Sequence, residues 1–62
     1  MRRYTVVHSD GSRSEDLTIE EAVDEINRVH IAGLTTEELE LLDRYGGIMR
    51  DADGAWSVKA YD

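Results

Sequence analysis

The side chains able to do chemistry in this chain are two histidines, His8 and His30, and 14 carboxylates, with no cysteine among the 62 residues. A histidine beside a carboxylate is the pairing used for general acid–base catalysis, and histidines clustered with acids are the pairing used to hold a metal. The local sequence supports neither reading. His8 ends a strand-like segment, and His30 falls in the last turn of a helix-like one, where a positive ring would suit the helix dipole. Asp51-Ala52-Asp53-Gly54 has part of the acid spacing of a calcium loop. It lacks a third ligand before its glycine and the bidentate glutamate at the twelfth position, so it reads as a turn. Gly46-Gly47 lacks the spacing of a phosphate-binding loop. Carboxylates that cleave glycosides must face one cleft in unequal environments, which acids on the outside of a helix do not. No catalytic residue, cofactor site or metal site is therefore expected, and a small hydrolase is the weakest of the function classes.

The carboxylates are unevenly placed. Residues 15–43 hold ten of them against Arg28 alone, a net charge of −9, whereas the whole chain carries −7 and its two ends are nearly neutral. Glu20, Asp24, Glu25, Glu37, Glu40 and Asp43 are the acids expected to face outward from the helices, and they form the candidate partner-binding set. Like charges at i,i+4, such as Glu20 with Asp24 and Glu21 with Glu25, cost a few tenths of a kcal/mol each, and Asp24–Arg28 offsets only part of this. Glutamates in a first helical turn gain from the dipole, so some of the acidity is ordinary helix chemistry. The remainder either keeps a tiny protein soluble or steers it towards a basic partner.

The elements that position these groups are well marked. Arg2 to Ser9 has the Tyr, Thr and Val content of a strand, and Asp10-Gly11 predicts a two-residue type I′ turn that returns residues 13–17 along it, with Leu17 opposite Tyr4. Thr18-Ile19-Glu20-Glu21 is a capping box with Leu17 and Ala22 as its hydrophobic staple. Ile19, Ala22, Val23, Ile26, Val29 and His30 then recur at helical spacing, predicting a helix over 19–32 that ends at Gly33. Thr35-Thr36-Glu37-Glu38 is a second box with Leu34 and Leu39 as its staple, and Leu39, Leu42 and Tyr45 predict the buried stripe of a helix closed by Gly46-Gly47. Ile48 to Asp51 and Ala55 to Tyr61 flank a three-residue hairpin loop, a pairing that sets Ile48 across from Val58 and Arg50 across from Trp56. Trp56, Val58 and Ala60 share the face assigned to the core.

The fold class expected is α+β: one domain over 1–62, with a two-helix hairpin packed on a small antiparallel sheet of three to four strands. A winged-helix arrangement is the alternative, with Thr35 to Tyr45 as recognition helix and Ala52 to Gly54 as wing tip. That helix offers Glu37, Glu38, Glu40 and Asp43 against Arg44, so direct binding to nucleic acid is not expected. A chain this short builds one thin core, and no apolar run approaches the roughly 20 residues needed to span a bilayer. The absence of cysteine suits a reducing interior, and the chain is expected in the cytoplasm, or in a host's cytoplasm if a phage encodes it. In size, acidity and charge clustering it resembles the small acidic DNA mimics of phages and mobile elements, including some anti-CRISPR proteins. The resemblance implies a non-enzymatic inhibitor whose carboxylates, about 6 Å apart over one helical turn, occupy a nucleic-acid-binding groove on a basic protein. The alternative is a self-associating regulatory domain of antitoxin type, forming a homodimer through a sheet edge or its aromatics.

Overall fold

A computed structural model describes residues 2–61, and all side chains among them except those of Asp43 and Tyr45. The chain forms strands β1 (Arg3–His8) and β2 (Arg13–Leu17), helices α1 (Ile19–His30) and α2 (Thr36–Glu40), a 3-10 turn over Leu41–Tyr45, and strands β3 (Ile48–Arg50) and β4 (Trp56–Tyr61). The sheet is antiparallel throughout, in the order β2-β1-β4-β3. The first and last long strands are thus its centre, joined in register from Arg3↔Tyr61 to His8↔Trp56. The helices cover one face. Tyr4, Val6, Trp56, Val58 and Ala60 from the sheet meet Ala22, Ile26, Leu34, Leu39 and Leu42 in one core, with Val6, Ala22 and Ile26 fully excluded from water. This is the α+β class that the order of elements predicts.

Both capping boxes form. The Thr18 hydroxyl accepts from the N–H of Glu21 at 3.2 Å while the Glu21 carboxylate accepts from the N–H of Thr18 at 2.9 Å, and Thr35 and Glu38 repeat the exchange at 3.3 Å each way. The two boxes start the helices where the sequence places them.

The helix ends differ from expectation. The first helix stops at His30, and Ile31 takes the left-handed C-cap position at φ 53°, ψ 47° while 90% exposed. A β-branched side chain in that region costs on the order of 1–2 kcal/mol. The capping N–H of Ile31 reaches the Asn27 carbonyl at 2.9 Å. Asn27 holds the turn closed, since its side-chain amide donates to the Leu34 carbonyl at 2.8 Å and its side-chain oxygen accepts from the Leu34 N–H at 2.7 Å. This mimics a backbone pair, fixes the buried Leu34, and draws the chain out of the helix before Gly33. Val29, expected in the apolar stripe, is 55% exposed. The second helix makes only five α-helical residues before tightening to 3-10 geometry. Thr35 to Tyr45 is thus not the continuous recognition helix of a winged-helix domain. The Tyr45 side chain, expected in the buried stripe, lies outside the described residues.

Both hairpin loops are one residue longer than the sequence predicts. His8 and Ser12 close the first through His8 N–H to Ser12 O at 2.9 Å, leaving a three-residue loop in which Gly11 has φ 91° and Asp10 does not turn positive. Asp10 instead accepts from the Ser12 N–H and hydroxyl at 2.9 and 2.7 Å, which holds its carboxyl below the ordinary range, the hydroxyl contributing most. In the second hairpin Asp51 N–H bonds to Trp56 O at 2.9 Å, so Ala55 joins the loop. The register becomes Ile48↔Lys59, Met49↔Val58 and Arg50↔Ser57. A slip of one residue exchanges faces, so Met49 packs on the core and Ile48 is 40% exposed on the outer side.

Candidate functional site

The structure sorts the expected partner-binding acids into two groups. Glu20 and Asp24 are exposed on α1, and Glu37 and Glu40 are exposed on α2, on helices packed against each other. Glu20, Glu37 and Glu40 enter no hydrogen bond or ion pair among the described residues, and Asp24 meets only Arg28, at 3.5 Å. Glu21 and Glu38 are occupied by the caps. The cap N–H of Thr18, and then its hydroxyl, hold Glu21 below the ordinary carboxylate range. The side chain of Asp43 lies outside the described residues.

Glu25 departs from the outward set. Its side chain is 14% exposed, and its Oε2 accepts from Nε2 of His8 at 2.7 Å. The other His8 nitrogen, Nδ1, lies 2.7 Å from Nε2 of His30, with the ring centroids 4.9 Å apart and the ring planes 28° from parallel, so the rings meet edge to edge. With both rings neutral, one arrangement satisfies the whole chain of groups: His30 Nε2–H donates to His8 Nδ1, and His8 Nε2–H donates to Glu25. Burial is the largest influence on the Glu25 carboxyl and pushes it up. The hydrogen bonds from His8 and Ser14, with Arg28 nearby, outweigh burial and hold it below the ordinary range. Both His8 nitrogens are spent on protein partners, so the ring offers none to an outside substrate. Among the described residues no group of three or more His, Cys, Asp or Glu is arranged to hold a metal ion.

The linked Glu25, His8 and His30 were not legible from spacing, because the contact depends on β1 running beneath α1. One signal was available. On the helix Glu25 borders Ala22, Ile26 and Val29, so it sits at the edge of the apolar stripe and not in the middle of the charged one.

What fold and surface define together is a small antiparallel α+β domain with carboxylates exposed on its helical layer. The chain matches no family model, and neither curated proteins nor solved structures give a significant match.

Proposed function

We propose that the protein is a non-enzymatic interaction protein that binds a basic, nucleic-acid-handling protein through Glu20, Asp24, Glu37 and Glu40. The observation that supports this is the division of labour among the acids. The fold employs Glu21 and Glu38 in caps and Glu25 against His8, yet among the described residues gives Glu20, Glu37 and Glu40 no partner. Like-charged carboxylates one helical turn apart, such as Glu37 and Glu40, repel one another; the helix dipole offsets part of this for Glu20 and Glu37 in their first turns, and no pairing among the described residues offsets the rest. A cationic surface would offset it, and the field of the layer would speed encounter. Occupation of a groove that otherwise holds phosphates, in the manner of a DNA mimic or anti-CRISPR inhibitor, is the specific form of this reading, with the cytoplasm as its setting. Asp43 belongs to the same segment by sequence, whereas Glu25 is set aside because His8 holds it.

The test is retention on paired baits. Wild type and a Glu37→Lys/Glu40→Lys variant, both checked for folding by circular dichroism, are exposed to a host extract at low salt and eluted with a salt gradient. A basic nuclease, polymerase or other nucleic-acid-handling protein held by wild type and lost by the variant supports the proposal. Equal retention on both baits would contradict it.

A further inference from the structure

The face of the sheet turned away from the helices carries charge of the opposite sign. Register places Arg13, Val7, Ser57 and Arg50 side by side across all four strands, and Thr5, Lys59 and Ile48 form the next row. Rows along a strand lie about 7 Å apart and neighbouring strands about 4.8 Å apart, so Lys59 and Arg50 flank Ile48 closely. Arg13 is paired with Glu15, and Arg3 with Asp16 at 2.8 Å. Arg50 and Lys59 are exposed and form no ion pair among the described residues. The rows floor a shallow concavity of about 660 Å³, with Val7 and Ile48 37% and 40% exposed within it.

The helical layer presents the converse pattern. Leu41 is 41% exposed, one residue beyond Glu40 and four beyond Glu37. One face thus offers an apolar side chain among carboxylates, and the opposite face offers Ile48 beside the two cations Arg50 and Lys59, with Glu15 and Asp16 lining the far side of the same concavity against their arginines. We infer that the outer sheet face docks the acidic helical layer of a second copy of this chain, Ile48 with Arg50 and Lys59 receiving Leu41 with Glu37 and Glu40. The two patches lie on opposite sides of the molecule, so the contact is head-to-tail and not two-fold symmetric. A long polyanion is the poorer fit, since among the described residues the face has one aromatic, Tyr61, whose hydroxyl already accepts from the Asp16 N–H at 3.0 Å, and the chain as a whole carries −7. The inference needs only the exposure of the same carboxylates and stands whether or not a basic partner exists.

Range of action gives the contact a signature. The shortest dimension of the fold is 17 Å, about two Debye lengths at physiological salt, where each is roughly 8 Å. At about 10 mM salt the Debye length is roughly 30 Å, and the net charges of two copies repel. At about 1 M it is roughly 3 Å, and facing charges are screened as well. Association is therefore strongest between these limits.

Sedimentation equilibrium from micromolar to millimolar protein, at about 10 mM, 150 mM and 1 M salt, tests this. The expected result is a mass above the monomer that is largest at the middle salt. Arg50→Glu/Lys59→Glu should associate at least about tenfold more weakly, as should Glu37→Lys/Glu40→Lys, each folded by circular dichroism. Mixed together the two variants should associate again, because each supplies the face the other lacks. A monomer under all conditions, association rising steadily with salt, or no recovery on mixing would overturn the inference. So would tight binding of a labelled single-stranded oligonucleotide that Arg50→Glu/Lys59→Glu abolishes, which would give the face to nucleic acid. Failure to capture a basic partner from an extract has no bearing on these masses.

Discussion

Asp24 and Glu25 are neighbours in sequence and opposites in the fold. Asp24, on the middle of the outer surface of α1, is exposed and among the described residues meets only Arg28, across 3.5 Å. Glu25 is 100° further round the helix, at the border of the apolar stripe, where it is nearly covered and closes a chain of hydrogen bonds to His8 and through it to His30. The first carboxylate is surplus to the fold, and the second ties a helix to a strand. Counting acids over a segment therefore measures the field around the molecule but does not identify which acids are free to meet a partner.

Charge reversal sharpens that contrast most. Glu25→Lys leaves the covered His8 ring without its acceptor and sets a cation against it, and should cost about 3 kcal/mol. That is most of what so small a core supplies, roughly 3–5 kcal/mol, so the variant should keep at most about 2 kcal/mol and melt well below wild type by circular dichroism. Asp24→Lys should change stability by no more than about 0.5 kcal/mol in urea titration. Equal effects of the two substitutions would erase the distinction.

The same end of α1 depends on Asn27. Asn27→Ala strands the buried Leu34 N–H and carbonyl, with an expected loss of about 2 kcal/mol in urea titration, while α1 stays helical by amide exchange. Ile31→Gly should act in the other direction. It releases a β-branched residue from φ 53°, and at 90% exposure little packing is lost, so a gain of about 0.5–1 kcal/mol in thermal unfolding is expected.

The smallest effect is on pH dependence. The folded Glu25 carboxyl is held below its ordinary value, so its contribution is complete above the unfolded value, about 4.3, and is lost as pH falls through the lower folded value. Stability should therefore fall less steeply from about pH 5 to 3 in Glu25→Gln than in wild type. A parallel fall in both would remove Glu25 from the acid response.

The sequence declared the helix starts because capping boxes are local. Thr18 with Glu21 and Thr35 with Glu38 are three residues apart, and each box forms as its residues require. It declared the strands and the inward face of Trp56, Val58 and Ala60 for the same reason, through alternation. It misjudged both hairpin loops by one residue, since Asp-Gly and Asp-Ala-Asp-Gly each fit more than one turn, and the Asp10 and Asp51 side chains favour the longer ones by accepting backbone N–H groups. That single step brought Ile48 to the outer face and with it the apolar centre of the cationic patch. The Asn27 clasp and the Glu25–His8–His30 chain join residues 7, 17 and 22 apart, and no local pattern announces such contacts. Of the candidate site, the exposure of Glu20, Asp24, Glu37 and Glu40 was legible from helical periodicity, and the engagement of half-buried Glu25 by His8 was not.

The central claim, that unpartnered helical carboxylates recognise a basic protein, is tested most directly by the salt dependence of the affinity for the captured partner. Titration calorimetry of wild type should show affinity falling about tenfold or more between roughly 50 and 200 mM salt, with the fall reduced in Glu37→Lys/Glu40→Lys. Affinity that stays constant across that range, or that the reversal leaves unchanged, would contradict the account.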